Sequence, residues 1–119
     1  MSELRIKRID HASVRITDLA RSREFYEGLL GLRTAARPEL GFPGAWYDVG
    51  GAQIHLIGQP KAFDGIDPTD AHVALEVDDV GAVKRALDAR GVPYLEFGGT
   101  QLWIRDPDGN VVELCEPRR

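Results

Sequence analysis

The chain has 119 residues, enough for one domain or for two very small modules sharing a core. Its apolar fraction of 43% is that of an ordinary folded protein, and no apolar run approaches the roughly 20 residues of a membrane span, which argues against a membrane partner. The net charge of -4, with no concentrated basic face, argues against nucleic acid; the clusters at Arg5–Arg8 and Arg118–Arg119 read as short solvated ends. Cys115 is the only cysteine, so an intrachain disulfide is ruled out. That, with an N-terminus lacking the apolar stretch of a signal peptide, predicts a cytoplasmic protein.

In chain order, the first strand-like phrase is "DHASVRITDL", Asp10–Leu19, in which small and apolar residues alternate after His11. Asp18–Leu30 follows with Leu19, Phe25, Tyr26, Leu29 and Leu30 at helical spacing. Thr17 or Asp18 can cap its start, and Gly31 stands where a C-terminal glycine belongs. Three strand-like segments come next, Leu32–Arg37, Ala45–Val49 and Ala52–Gly58. The Pro/Gly-rich stretch Arg37–Trp46 between the first two predicts a loop at a pocket mouth, and Ile57–Asp70 predicts a connecting segment.

The phrase then returns as "AHVALEVDDV", Ala71–Val80, with His72 where His11 stood. A second helix is expected over Asp79–Arg90, with Val80, Val83, Ala86 and Leu87 on one face, Asp78 or Asp79 as cap, and Gly91 and Pro93 beyond it. Strands are expected at Tyr94–Phe97, Gln101–Arg105 and Asn110–Glu116. "DVGG" at Asp48–Gly51 and "DPDG" at Asp106–Gly109 are corresponding tight turns. Seven residues after Asp48 stands His55, and seven after Asp106 stands Glu113. The chain therefore reads as α+β: a first βαβββ module at 1–60, a linker at 61–70 and a second βαβββ module at 71–119, each with a candidate ligand on its first and last strands.

Strand alternation separates Ala12, Val14 and Ile16 from His11, Ser13 and Arg15, and Val73, Leu75 and Val77 from His72, Ala74 and Glu76. Ile54 and Leu56 likewise oppose His55, and Val112 and Leu114 oppose Glu113 and Cys115. The ligand faces are expected to form a concave polar and aromatic surface, with helices outside. Trp103 and Arg105 are expected on it, with Ala45 and Tyr47 as their repeat counterparts. His11, His55 and His72 are all the histidines of the chain. Three imidazoles and the Glu113 carboxylate make a site for one divalent ion, Fe, Mn, Co, Ni or Zn, with open positions for a bidentate small molecule.

At these residues the sequence resembles the vicinal oxygen chelate superfamily, which includes glyoxalase I, extradiol dioxygenases, methylmalonyl-CoA epimerase and fosfomycin- and bleomycin-resistance proteins. "IDHASVRITDLARSREFYEGLLGL", "AHVALEVDD" and "DPDGNVVEL" carry the match, which covers nearly the whole chain. The resemblance implies a cupped mixed sheet and metal ligands at His11, His55, His72 and Glu113. It also implies a homodimer, in many members with one chain's first module completing a site with the other chain's second.

For a small-molecule substrate, the glyoxalase comparison implies lyase or isomerase chemistry through a metal-bound enediolate or enolate, with Glu113 as the base and Arg15 as a substrate contact. Arg15 equally reads as a salt-bridging surface residue. His55 departs from the Glu of bacterial glyoxalase I, Gln59 from its Asn, and no Arg precedes His72. An extradiol Fe(II) dioxygenase needs two His and one carboxylate, which His11, His72 and Glu113 supply. A non-catalytic antibiotic-binding protein would instead use an acidic, aromatic groove, for which Trp46, Tyr47 and Trp103 are available. Arg37 and Arg105 are candidate anion contacts, and Cys115 reads as a buried, inert cysteine.

Overall fold

The computed structural model describes residues 4–61 and 64–117. The Arg118–Arg119 pair lies outside the described residues. Among the described residues, eight strands and three helical segments follow the order β1 (Arg8–Arg15), α1 (Leu19–Arg23), a π-helical stretch (Glu24–Leu29), β2 (Arg33–Ala35), β3 (Gly44–Val49), β4 (Ala52–Ile57), β5 (His72–Glu76), α2 (Val80–Ala89), β6 (Leu95–Phe97), β7 (Gln101–Arg105) and β8 (Val111–Cys115). The strands form one open, mixed sheet in the order β2-β3-β4-β1-β5-β8-β7-β6.

The sequence repeat is visible in that order. β1 pairs parallel with β4, β5 pairs parallel with β8, and the two halves join through the antiparallel β1–β5 ladder. Ser13 lies opposite His55 as Ala74 lies opposite Glu113. His55 is thus the first-module counterpart of Glu113. The join between the halves puts His11 and His72 on neighbouring strands of a single chain.

α2 forms where the apolar period demands it. Asp79 accepts from the Ala82 N–H at its start, and Gly91, at φ +66°, ends it in a conformation that costs an L side chain energy. It buries Val80, Val83, Ala86 and Leu87, and Val80, Val83 and Leu87 share a cluster with Val77, Leu102 and Leu114. α1 starts as expected, with Asp18 accepting from the Arg21 N–H at 3.1 Å. From Glu24 to Leu29, however, it widens into a π-helical stretch in which Leu30 N–H bonds the Phe25 carbonyl. The extra residue per turn breaks the expected apolar face. Leu19 and Tyr26 pack on Ala45, Tyr47 and Leu56, while Phe25, Leu29 and Leu30 stay exposed, Leu29 at 73%.

Candidate metal centre

The site begins at an irregularity in β1. The register between β1 and β5 shifts between Ile9 and His11, so the strand carries a bulge at Asp10. Alternation would send neighbouring side chains to opposite faces, yet Asp10 and His11 are both buried and meet each other. His11 Nδ1 donates to Asp10 Oδ2 at 2.7 Å. On β5, His72 Nδ1 donates to the Asp70 carbonyl at 2.5 Å. Each Nδ1 proton is thereby committed outward, which leaves both Nε2 atoms as the donor nitrogens.

Both Nε2 atoms face the same carboxylate oxygen. His72 Nε2 lies 3.0 Å and His11 Nε2 3.3 Å from Glu113 Oε1. The other oxygen, Oε2, accepts from Gln101 Nε2 at 3.0 Å. One ligand atom from each of His11, His72 and Glu113 lies within 4.8 Å of the others. Three electron-rich atoms aimed at one point call for positive charge between them. Two imidazoles and a carboxylate are a donor set that divalent Fe, Co, Ni, Zn and Mn accept. The residues present fit a divalent ion.

Electrostatics agree. Burial works to raise the Glu113 pKa, but hydrogen bonds from His11 and His72, the His11 charge and the Gln101 amide outweigh it and hold the carboxyl well below its ordinary range. Burial likewise opposes charge on His11, and the bonds to Asp10 and Glu113 overcome it, raising the imidazole above its ordinary value.

His55 lies beside this trio without pointing a nitrogen into it. Its ring is stacked between His11 and Trp46, each at 3.9 Å between centroids, and its Nε2 donates to Gln53 Oε1 at 2.8 Å. A cavity of about 650 Å³ opens over the cluster. Its walls include Pro38, Leu40 and Phe42 from the Arg37–Trp46 loop, as expected of a pocket mouth, and Pro68 and Thr69 from the linker.

The expected substrate contacts divide. Trp103 lines the cavity beside Glu113, its partner across the β7–β8 ladder. Tyr47 does not: it is fully buried on the helix side with Ala45 and Leu56, and its hydroxyl donates to Glu27 Oε2 at 2.7 Å. Trp46 takes the cavity position, opposite His55. The reason is a turn length. Trp46 and His55 are nine positions apart across their hairpin, Trp103 and Glu113 ten, and one residue reverses which face is which. The two-residue turn Gly50–Gly51, counted outward, was the signal that gives the right face.

Arg105 is exposed and outside the cavity wall. Arg15 is not in the wall either. It bonds the Gln59 and Thr69 carbonyls and the Asp70 carboxylate at 2.7, 2.9 and 3.0 Å, tying the linker to β1. Cys115 is buried, with Sγ 3.8 Å from the Leu75 carbonyl. Asp10 and Gln101, which hydrogen-bond His11 and Glu113, carry no sequence motif of their own. Gln101 shares strand parity with Trp103, which would have pointed to it, but the bulge that turns Asp10 inward has no sequence mark.

A profile of the Glyoxalase/Bleomycin resistance protein/Dioxygenase superfamily matches residues 8–114. The chain belongs to this superfamily. It is 34% identical to "Glyoxylase I 4" of Arabidopsis thaliana over 94% of this chain and 72% of that one. It is 33% identical to the lactoylglutathione lyase of Haemophilus influenzae over 89% of this chain and 90% of that one. Among solved structures, methylmalonyl-CoA epimerase from Mycobacterium tuberculosis is similar in fold, with a TM-score of 0.76 at 23% identity over 100% of this chain and 93% of that one.

Proposed function

We propose that this superfamily member is a divalent-metal-dependent lyase or isomerase that moves a proton next to a carbonyl of a small molecule, through an enediolate or enolate. The observation that carries it is the convergence of His11 Nε2, His72 Nε2 and Glu113 Oε1 at the floor of a cavity. Names of relatives as lactoylglutathione lyases support the same class.

His11, His72 and Glu113 would hold the ion, with His55 as the candidate fourth ligand by its place in the repeat. When bound, a divalent ion supplies Lewis-acid stabilisation of negative charge on neighbouring substrate oxygens. The chain's own groups supply the rest. Glu113 is ionised at neutral pH, the form that accepts a proton, and Gln101 fixes its orientation. Asp10 and the Asp70 carbonyl hold the two imidazoles in one tautomer. Trp46 and Trp103 line the cavity beside the cluster and offer aromatic surface to a substrate.

One observation favours a second reading. Two histidines and one carboxylate, with His55 turned aside to Gln53, is the donor set of Fe(II) oxygenases, so an extradiol-type dioxygenase is the alternative. We further infer that the modules at 1–60 and 71–119, joined by 61–70, form one cytoplasmic homodimeric protein; exposed Phe25, Leu29 and Leu30 offer an apolar contact.

Elemental analysis of untagged protein, purified without chelator beside His72→Ala, tests the reading. Near-stoichiometric metal lost in the variant supports it. Ni, Co or Zn directs assays to isomerisation, and Fe to ring cleavage. A metal-free parent that also refuses added metal in calorimetry overturns it.

A further inference from the structure

Arg15 stands four residues after His11 on β1, but its side chain reaches the linker rather than the cavity wall. Four hydrogen bonds leave its guanidinium. Nε donates to the Gln59 carbonyl at 2.7 Å and Nη1 to Asp70 Oδ1 at 3.0 Å. Nη2 donates to the Thr69 carbonyl and to Thr69 Oγ1 at 2.9 and 3.0 Å. Gln59 lies just before the linker and Thr69 and Asp70 close it, so one planar, always charged group ties its two ends together. Lys61 holds the other Asp70 oxygen at 3.0 Å. Asp67, only 1% exposed, accepts from the Thr69 N–H and hydroxyl, and its carbonyl accepts from the Asp70 N–H. Asp70 is thus held through both its side chain and its backbone.

The same residue serves the metal centre from its other end. The Asp70 carbonyl accepts the His72 Nδ1 proton, which sets the tautomer and the aim of the ring. A carbonyl does this only while it stays in place, because a hydrogen bond weakens steeply as its alignment is lost. The Arg15–Asp70 pair is partly buried, so salt and water screen it less than they would a surface pair. Resting on the metal reading above, we infer that Arg15 is a positioning residue: through Asp70 it keeps His72 Nε2 as the donor nitrogen, without touching ion or substrate. The place four residues after His11, which the resemblance gives to a substrate contact, serves a metal ligand in this chain.

The chain has three histidines, so imidazole nitrogen NMR of the metal-free protein at alkaline pH resolves each tautomer, with His72 assigned by its loss in His72→Ala. The parent is expected to show His72 wholly as the Nδ1–H tautomer. Arg15→Met, which keeps the stem and removes the fork, is expected to show a mixture of both. Its zinc affinity, read by competition against a chelator, is expected to fall about three- to tenfold, less than for loss of a group that bonds a ligand directly. Asp70→Asn keeps the carbonyl and the shape but loses the charge. It is expected to move both readouts the same way and to add little on top of Arg15→Met; it carries the test alone if Arg15→Met does not fold. Leu87→Ala, a core change in α2, lowers stability and is expected to move neither readout. An unmoved tautomer in the folded variants overturns the inference, as does unmoved zinc affinity in a zinc-binding chain, or equal shifts in Leu87→Ala. A parent that refuses zinc sinks the metal reading alone, and the His72 tautomer then decides this one.

Discussion

Asp10 and Gln101 touch no point where an ion would sit, yet they decide what His11 and Glu113 offer it. Without Asp10 the His11 ring is free to carry its proton on either nitrogen. Without Gln101 the carboxylate is free to rotate. Asp10→Ala and Gln101→Leu are each expected to weaken metal binding by about tenfold to a hundredfold, read by competition against a chelator. His55→Ala is expected to cost less than His72→Ala in the same assay, because His55 Nε2 is already spent on Gln53.

Protons compete for the same atoms in the metal-free chain. Glu113 is depressed, so the stability it contributes is present above its unfolded value of about 4.3 and is lost as pH falls through the lower folded value. His11 is raised, so its contribution is complete below about 6.5 and is lost as pH rises through the higher folded value. Their mutual hydrogen bond enters both shifts and counts once. Metal-free protein is therefore expected to be most stable between about pH 4.5 and 6.5. Urea unfolding from pH 3 to 9 checks this, and Glu113→Gln should flatten the profile.

At the scale of elements, the two helices make opposite demands on their sequence. α2 keeps its period and buries it, so Leu87→Ala is expected to cost about 2–5 kcal/mol in urea unfolding, through lost burial and a residual cavity. The first helix gives up part of its period to the π stretch, and Tyr47 fills the space beneath it. Burial first, then the bond to Glu27, pushes the Tyr47 phenol up to about 12. That contribution is present below about pH 10 and is lost as pH rises through the folded value. Tyr47→Phe is expected to cost about 1 kcal/mol near neutral pH. It should also remove a late phase from the ultraviolet phenol titration.

For the whole molecule, the β1–β5 ladder means that one chain supplies His11, His72 and Glu113 together. A site completed by a second chain was one expectation of the resemblance, and the two arrangements differ in a simple way. When His11→Ala and Glu113→Ala chains are unfolded, mixed and refolded, a site shared between chains regains metal in the mixed dimer. A site within one chain does not, and no recovery is the outcome expected here. Leu29→Glu is expected to convert a dimer to a monomer in sedimentation while leaving metal content unchanged, since Leu29 is exposed and remote from the cavity wall.

Much of this was written along the chain. The doubled phrase around His11 and His72, the period of α2, the caps at Asp18 and Asp79 and the place of Glu113 after its turn are local patterns, and local patterns are set by backbone geometry within a few residues. They determined the open α+β sheet, in which the β1–β5 ladder brings His11, His72 and Glu113 together. Three things waited for the tertiary structure. The face of β3 depended on one residue of turn length, because alternation fixes parity within a strand but not between strands. The inward turn of Asp10 depended on a bulge that forms only when β1 pairs with β5. The partners of Arg15, Arg37 and Lys84 depended on the fold, since long flexible cations go to whichever carboxylate or carbonyl folding brings within reach.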